Sequence, residues 1–287
     1  MPNTPFSLKM PRIRTTGVVF ASPHSGRDYS RAFLKASVLD DHTIRSSEDA
    51  FVDQLFAAAP EHGAPLLSAN APRAYVDLNR GAEELDPALI RGVPKRPGHN
   101  PRVASGLGVI PRVVAGGRAI YRGKMTLGDA QARLTEVWHP YHDRLTRLLE
   151  ESRRLFGQAI LFDCHSMPHE AIESLSRRGK SRPEIVLGDR FGASAASGIV
   201  DRVEAAFVAA GFAVARNAPF AGAYMAQHYG RPARGQHVVQ IEIDRALYMN
   251  EGFIRPNGNF NNLQRQLTTI MAELAEMGRP ELPLAAE

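Results

Sequence analysis

Two histidines in this chain each close an apolar run. His24 follows Val-Val-Phe-Ala (residues 18–21) through Ser22-Pro23, with Ser25-Gly26 forming a turn behind it. His165 follows residues 158–164, whose middle reads Ala-Ile-Leu-Phe. A buried strand that ends in a histidine holds an imidazole at the rim of a sheet, and open α/β sheets bind ligands outside the carboxyl ends of their strands. Two further strand ends carry reactive or clamping groups: Asn79-Arg80 after residues 73–78, and Glu242 near the end of residues 237–243. Two neutral imidazoles and one carboxylate suit a single zinc ion, with a fourth position left for water, whose pKa the ion brings to about 7. Glu48 and Asp49, at an expected helix start soon after the first strand, are the natural candidates for that carboxylate. An unligated carboxylate is then needed to carry the water's proton to a leaving group, and Glu242 on a separate strand meets that need. Arg80 offers a bidentate clamp for a substrate carboxylate that lysine would not match.

Each residue also has a plainer explanation. His24 alone would serve as a hydrogen-bonded turn residue. Glu242 could pair with Arg245 or Arg234, and Arg80 with Asp77 or Glu83. Acidic residues at 48 and 49 would stabilise a helix dipole. Asp163 falls on the same side of its strand as His165, either to hold the imidazole or to cap nearby backbone. Cys164 points the other way, and with nothing to activate it reads as an inert strand residue. Several motifs fail on one position. His169-Glu170-Ala171-Ile172-Glu173 lacks the second histidine of a zincin helix, and Gly179-Lys180-Ser181 has Ser174 where a phosphate loop needs glycine. No G-x-S-x-G elbow is present.

The elements that must position these groups alternate between strand and helix. Strands are expected at 18–21, 65–68, 73–78, 158–164, 184–187, 212–215 and 237–243. Helical spacing runs through Phe51, Val52, Leu55, Phe56 and Ala59 from Glu48, through 127–156, 193–210 and 260–277. Pro140 should kink or divide the second of these. Gly116-Gly117 between two apolar runs predicts a hairpin over 113–121. Residues 217–232 read as loop, residues 1–16 as an arm laid on the surface, and residues 81–111, rich in Pro, Gly and charge, as a long loop of the kind that is usually functional. The alternation predicts an α/β fold with a mixed, mostly parallel sheet covered on both faces, in a single domain spanning residues 1–287.

Composition narrows the class. Of 287 residues, 44% are hydrophobic and 23% charged, ordinary values for a chain with a full core. The lone cysteine excludes an internal disulfide and fits a reducing, cytoplasmic setting. No signal peptide or membrane span is evident, so no membrane partner is expected. The net charge of +5 is scattered, and its densest cluster, Arg177, Arg178, Lys180 and Arg182, has no interleaved aromatics. This argues against nucleic acid and weakly for a small anionic substrate. Oligomeric state is left open.

Taken in order, Ser-Pro-His-Ser-Gly at 22–26, Glu-Asp-x-x-Val-Asp-x-Leu at 48–55, Asp-Leu-Asn-Arg at 77–80, Asp-Cys-His-Ser-Met at 163–167, His-Tyr-Gly-Arg-Pro at 228–232 and Gln-Ile-Glu-Ile-Asp-Arg-x-Leu-Tyr-Met at 240–249 resemble the N-formylglutamate amidohydrolase (deformylase) family. The resemblance covers about residues 18–255. It implies a three-layer α/β/α, phosphorylase/hydrolase-like fold related to the zinc carboxypeptidases and aspartoacylase. It further implies one zinc ion held by His24, Asp49 and His165, with Asp49 preferred to Glu48. Glu242 would be the catalytic glutamate and Asn79-Arg80 the substrate-carboxylate clamp, with Arg122 and His228 also reaching the substrate. The implied reaction releases formate and L-glutamate from N-formyl-L-glutamate, the last step of one route of histidine breakdown. One position departs from the wider pattern. Carboxypeptidase-like sites take their acidic ligand from the third residue after the first histidine, which here is Arg27. Two other functions fit the same residues: hydrolysis of another N-acyl amino acid or peptide, and metal-free binding of an acidic metabolite.

Overall fold

Along a strand, successive side chains go to opposite faces, and here they sort into two cores. Val18, Phe20, Leu66, Ile160, Phe162, Cys164, Val239, Ile241 and Ile243 enter one; Val19, Ala21, Leu67, Ala69, Ala159, Leu161 and Val238 enter the other. The sheet between them has seven strands: β1 (Phe6–Lys9), β2 (Val18–Ser22), β3 (Leu66–Ala69), β4 (Ala159–Met167), β5 (Ile185–Gly188), β6 (Val214–Arg216) and β7 (Gln236–Asp244), in the order β1-β3-β2-β4-β7-β5-β6. The central four, β3, β2, β4 and β7, run parallel. At one edge β1 is antiparallel to β3. At the other, β5 is antiparallel to β7 and carries β6 parallel to itself. The computed structural model describes residues 4–94, 100–173 and 182–280. Arg177, Arg178, Lys180, the 179–181 near-motif with Ser174, and the tail beyond residue 280 lie outside them.

Helices cover both faces, giving the three layers expected. On one side α1 (Leu127–Arg133) and α2 (His139–Phe156) bury Tyr141, Leu145, Leu148 and Leu149 against the second core, each side chain stabilising by roughly 1.5–3 kcal/mol. On the other, α3 (Ser197–Ala209) and α5 (Phe260–Glu276) bury Val200, Val203, Leu263, Leu267 and Ile270. A short helix, α4 (Tyr224–Tyr229), stands within the expected 217–232 loop. Among the described residues no helix is long and apolar enough to cross a membrane.

Pro140 divides the long helical stretch, as its missing N–H demands. The joint is a single π-helical turn, Leu134–Trp138, between α1 and α2. A wider turn relieves the clash between a proline ring and the carbonyl four residues back. Gly157, in the left-handed conformation at φ 75°, ends α2.

Two expectations fail together. Residues 73–78 are not a strand but a run of turns, because the place beside β3 is filled by β1, a strand drawn from the expected surface arm. The segment instead bonds Tyr75 N to the Pro72 carbonyl and Asp77 N to that of Val109, and crosses the strand ends. The helix expected from Glu48 is also absent. Phe51 is left-handed (φ 67°), only Val52–Leu55 makes a helical turn, and a 3-10 turn follows at Ala59–His62. The apolar spacing there reflects irregular turns that bury Val52, Leu55 and Phe56 in the first core. The hairpin at 113–121 shrinks to two-residue strands, Val113–Val114 and Arg118–Ala119, around Gly116-Gly117 at positive φ.

Candidate metal centre

On the α2 face of the sheet, β4 and β7 are apolar only as far as Leu161 and Val238. Beyond them the same face continues as Asp163 and His165 on β4 and Gln240 and Glu242 on β7, with His165 directly beside Glu242 in the parallel register. His24 arrives just beyond β2, the neighbouring strand. Its turn depends on Gly26, where a Cβ would collide with the carbonyl oxygen of Ala71.

Asp49 closes the group. Its backbone N–H donates to the His24 carbonyl at 3.0 Å, so the chain returns to the first histidine by a backbone bond. Its Oδ2 lies 3.0 Å from His165 Nδ1 and 3.4 Å from His24 Nδ1. One donor atom from each of His24, Asp49 and His165 lies within 4.8 Å of the others, and all three residues are buried. Glu48 turns away to a bidentate pair with Arg45 at 3.0 and 3.1 Å. Arg27, at the position where an acidic ligand was missing, pairs with Asp53.

Carboxylates hold the far side of both rings. His24 Nε2 is 2.8 Å from Asp77 Oδ1, and His165 Nε2 is 2.8 Å from Asp163 Oδ1. Burial alone would raise the Asp77 carboxyl, but Arg73 and His24 carry it well below its usual range. It is thus a pure acceptor, His24 Nε2 carries the hydrogen, and the Nδ1 lone pair faces Asp49. That Nδ1 is buried and has no hydrogen-bond partner, a costly state for a polar atom unless a ligand completes it. For His165, burial opposes the charged form, yet Asp163 and Asp49 hold its pKa well above the ordinary value. Asp49 is likewise carried well below its usual range against the effect of burial, by His165 and His24. Its Oδ1 accepts from Arg245 Nη2 at 3.0 Å. Two imidazole nitrogens and a carboxylate oxygen, oriented from behind by further carboxylates, are a donor set suited to zinc.

These groups line a cavity of about 610 Å³. Glu242 is in its wall, 7% exposed, and burial pushes its pKa up to about 7. It has no ion pair with Arg245 or Arg234 among the described residues; its one side-chain bond accepts from Gln240 Nε2 at 2.8 Å. Arg80 is buried, its charge disfavoured by desolvation, and it pairs with neither Asp77 nor Glu83. Its Nε and Nη1 donate to the carbonyls of Leu107 and Asn79 at 3.0 and 3.1 Å. Trp138 Nε1 in turn donates to the Arg80 carbonyl at 2.8 Å. The Asn79 amide is engaged within the protein, accepting from Met225 N at 2.8 Å and donating to Asp163 at 3.2 Å.

Arg122 is exposed and does not line the cavity. His228, also exposed, stacks on Tyr224 at 4.9 Å in an adjoining cleft. Cys164 is fully buried and its pKa is raised well above the usual by that burial, so it remains an inert thiol. Sequence reasoning missed Arg73, Asp77 as a partner of His24, and Arg102 in the cavity wall. The signal for the first two was the i, i+4 spacing of Arg73 and Asp77, which a strand assignment hid.

The family model described as N-formylglutamate amidohydrolase matches residues 16–249. N-formylglutamate deformylases of Pseudomonas aeruginosa and Pseudomonas putida are each 29% identical to this chain, over 237 and 241 residues, 82% of either sequence. The crystal structure of N-formylglutamate amidohydrolase from Ralstonia eutropha JMP134 superposes with a TM-score of 0.89 at 37% identity, covering 96% of this chain and 98% of that one.

Proposed function

Because this chain belongs to the N-formylglutamate amidohydrolase family, we propose that it hydrolyses the amide of N-formyl-L-glutamate, giving formate and L-glutamate. The observation that carries the metal dependence of this reading is the buried, unpartnered Nδ1 of His24 facing Asp49 and His165. His24, Asp49 and His165 would hold one divalent cation, zinc by the type of donor. When bound, the ion would supply a Lewis acid that acidifies water and polarises the scissile carbonyl.

The chain's own residues do the rest. Glu242, in the cavity wall and held only by Gln240 among the described residues, is placed to accept a proton from the attacking water and to return it to the leaving nitrogen. Arg80, fixed by two backbone carbonyls yet free of any carboxylate partner among the described residues, receives the substrate's α-carboxylate. Asn79 braces that arginine by joining Asp163 to Met225. Asp77 and Asp163 keep the two imidazoles oriented with Nδ1 forward. Arg122 and His228, away from this wall, carry no step. Release of formate and glutamate from N-formyl-L-glutamate, followed with and without chelator, tests the reading. It predicts turnover that chelation abolishes and zinc restores; no hydrolysis by zinc-replete protein would overturn it.

A further inference from the structure

The cations around the cavity are not equivalent. Arg245 is tied to Asp49, Arg73 Nε is tied to Asp77 at 3.0 Å, and Arg80 is spanned between two carbonyls. Arg102 also lines the cavity, yet it has no ion pair and donates no side-chain hydrogen bond among the described residues. It stands at a junction, because it and Arg80 line both the cavity and an adjoining cleft of about 560 Å³. Across that cleft stands Arg190, also without a carboxylate partner among the described residues. Arg190 and Phe191 take consecutive left-handed conformations, at φ 54° and 56°. Side-chained residues adopt that conformation at a cost, and it is typically kept where a site needs it. Here Asn217 holds it, its Oδ1 accepting from the N–H groups of Asp189 and Phe191 at 3.1 and 3.3 Å.

The mount of Arg102 is fixed as well. Asn100 Oδ1 caps its turn, accepting from Arg102 N at 3.0 Å, and Asn100 Nδ2 donates to Glu84 at 3.0 Å. Arg112 ties the same loop to Asp86 at 2.8 Å and to the Ala104 carbonyl at 3.2 Å. Glu83 and Glu84 are the acidic residues of the cleft, but Glu84 is occupied by Gly81 N and Asn100. The result is an arginine without an ion-pair partner among the described residues, near enough to Arg80 to add to the effect of burial in disfavouring its charge, which Asp77 supports. Two arginines that line one junction favour an anion bound between them.

We propose that Arg102 is the residue that reads the side-chain carboxylate of the substrate, so that its charge sets the preference for an acidic over an uncharged side chain. This rests on the reading that Arg80 holds the α-carboxylate of an N-acyl amino acid. The α-carboxylate on Arg80 directs the side chain toward the junction, where Arg102 meets it and Arg190 adds positive potential from the opposite wall.

The test is a specificity ratio on the zinc-loaded enzyme: kcat/KM for N-formyl-L-glutamate against N-formyl-L-glutamine, in the wild type, Arg102→Gln and Arg102→Lys. Arg102→Gln is expected to lower the value for the glutamate substrate about 10- to 100-fold, the range for losing a charge-assisted hydrogen bond, while the glutamine substrate changes less than about twofold by the same reasoning. Arg102→Lys should fall between. Because the neutral substrate reports on the rest of the machinery, an equal loss on both substrates, or none on either, overturns the assignment. A wild type that hydrolyses neither overturns the underlying reading, and the assignment with it.

Discussion

Folding and the proposed catalysis place opposite demands on Glu242, and Glu242→Gln separates them. Its carboxyl titrates at about 7 in the folded, metal-free protein, against an ordinary value of 4.5, because it is buried. The folded pKa is raised, so the protonated form is the one the fold favours. Stability is intact below the unfolded value and is lost as pH climbs from about 4.5 through 7. The rise from 4.5 to about 7 corresponds to about 3 kcal/mol once ionisation is complete. Glutamine is neutral at every pH and keeps the oxygen that accepts from Gln240. In chelated protein, Glu242→Gln should therefore be more stable than wild type by about 3 kcal/mol at pH 8, but by less than about 1 kcal/mol at pH 5. For a chain of this size that means a rise in Tm of several degrees at the higher pH and little change at the lower. The zinc-loaded variant should meanwhile lose about 10²- to 10⁴-fold in kcat, the range for a general acid–base group. Thermal melts at the two pH values and a formate-release assay read both effects. Unchanged stability at pH 8, or near-normal turnover with metal retained, would refute the reasoning.

Two further outcomes follow from the same geometry. Metal affinity should weaken as pH falls, because the proton that Asp163 and Asp49 hold on His165, against the effect of burial, must leave before Nδ1 can coordinate; zinc titrations between pH 6 and 8 with a competing chelator check this, and a flat profile would contradict it. Arg80→Lys should reduce kcat/KM by about 10- to 100-fold with zinc content unchanged, since a point charge cannot replace the planar fork; steady-state kinetics with metal analysis measure both.

Much of this site can be read in the sequence, and what is legible follows a physical pattern. His24, His165 and Glu242 stand out because an apolar β run stops at a polar residue, and a strand fixes what its end presents. Asp163 follows from strand alternation alone. The α/β arrangement follows from the same alternation of runs, except that β1 is not legible in the N-terminal arm and residues 73–78 suggest a strand that does not form. Asp49 is harder, because its place depends on a long return of the chain to a backbone bond with His24, with no regular element leading to it. The helix that its neighbours' spacing suggests does not form, since that spacing serves burial within irregular turns. Asn79-Arg80 are visible as a motif, but their mount is not. It depends on β1 occupying the sheet edge, on the Leu107 carbonyl, and on a tryptophan from the π turn before Pro140. Arg102 sits in a single helical turn, Pro101–Ala104, inside the expected loop, where only three-dimensional neighbours reveal a cation without an ion-pair partner among the described residues.

The most direct measurement is zinc titration of the chelator-stripped protein while following formate released from N-formyl-L-glutamate. The account predicts no turnover without metal, a rise to full activity at one equivalent per chain, and loss of that binding step in Asp49→Ala and His165→Ala. Full activity in the stripped protein, or saturation that survives both substitutions, would contradict it.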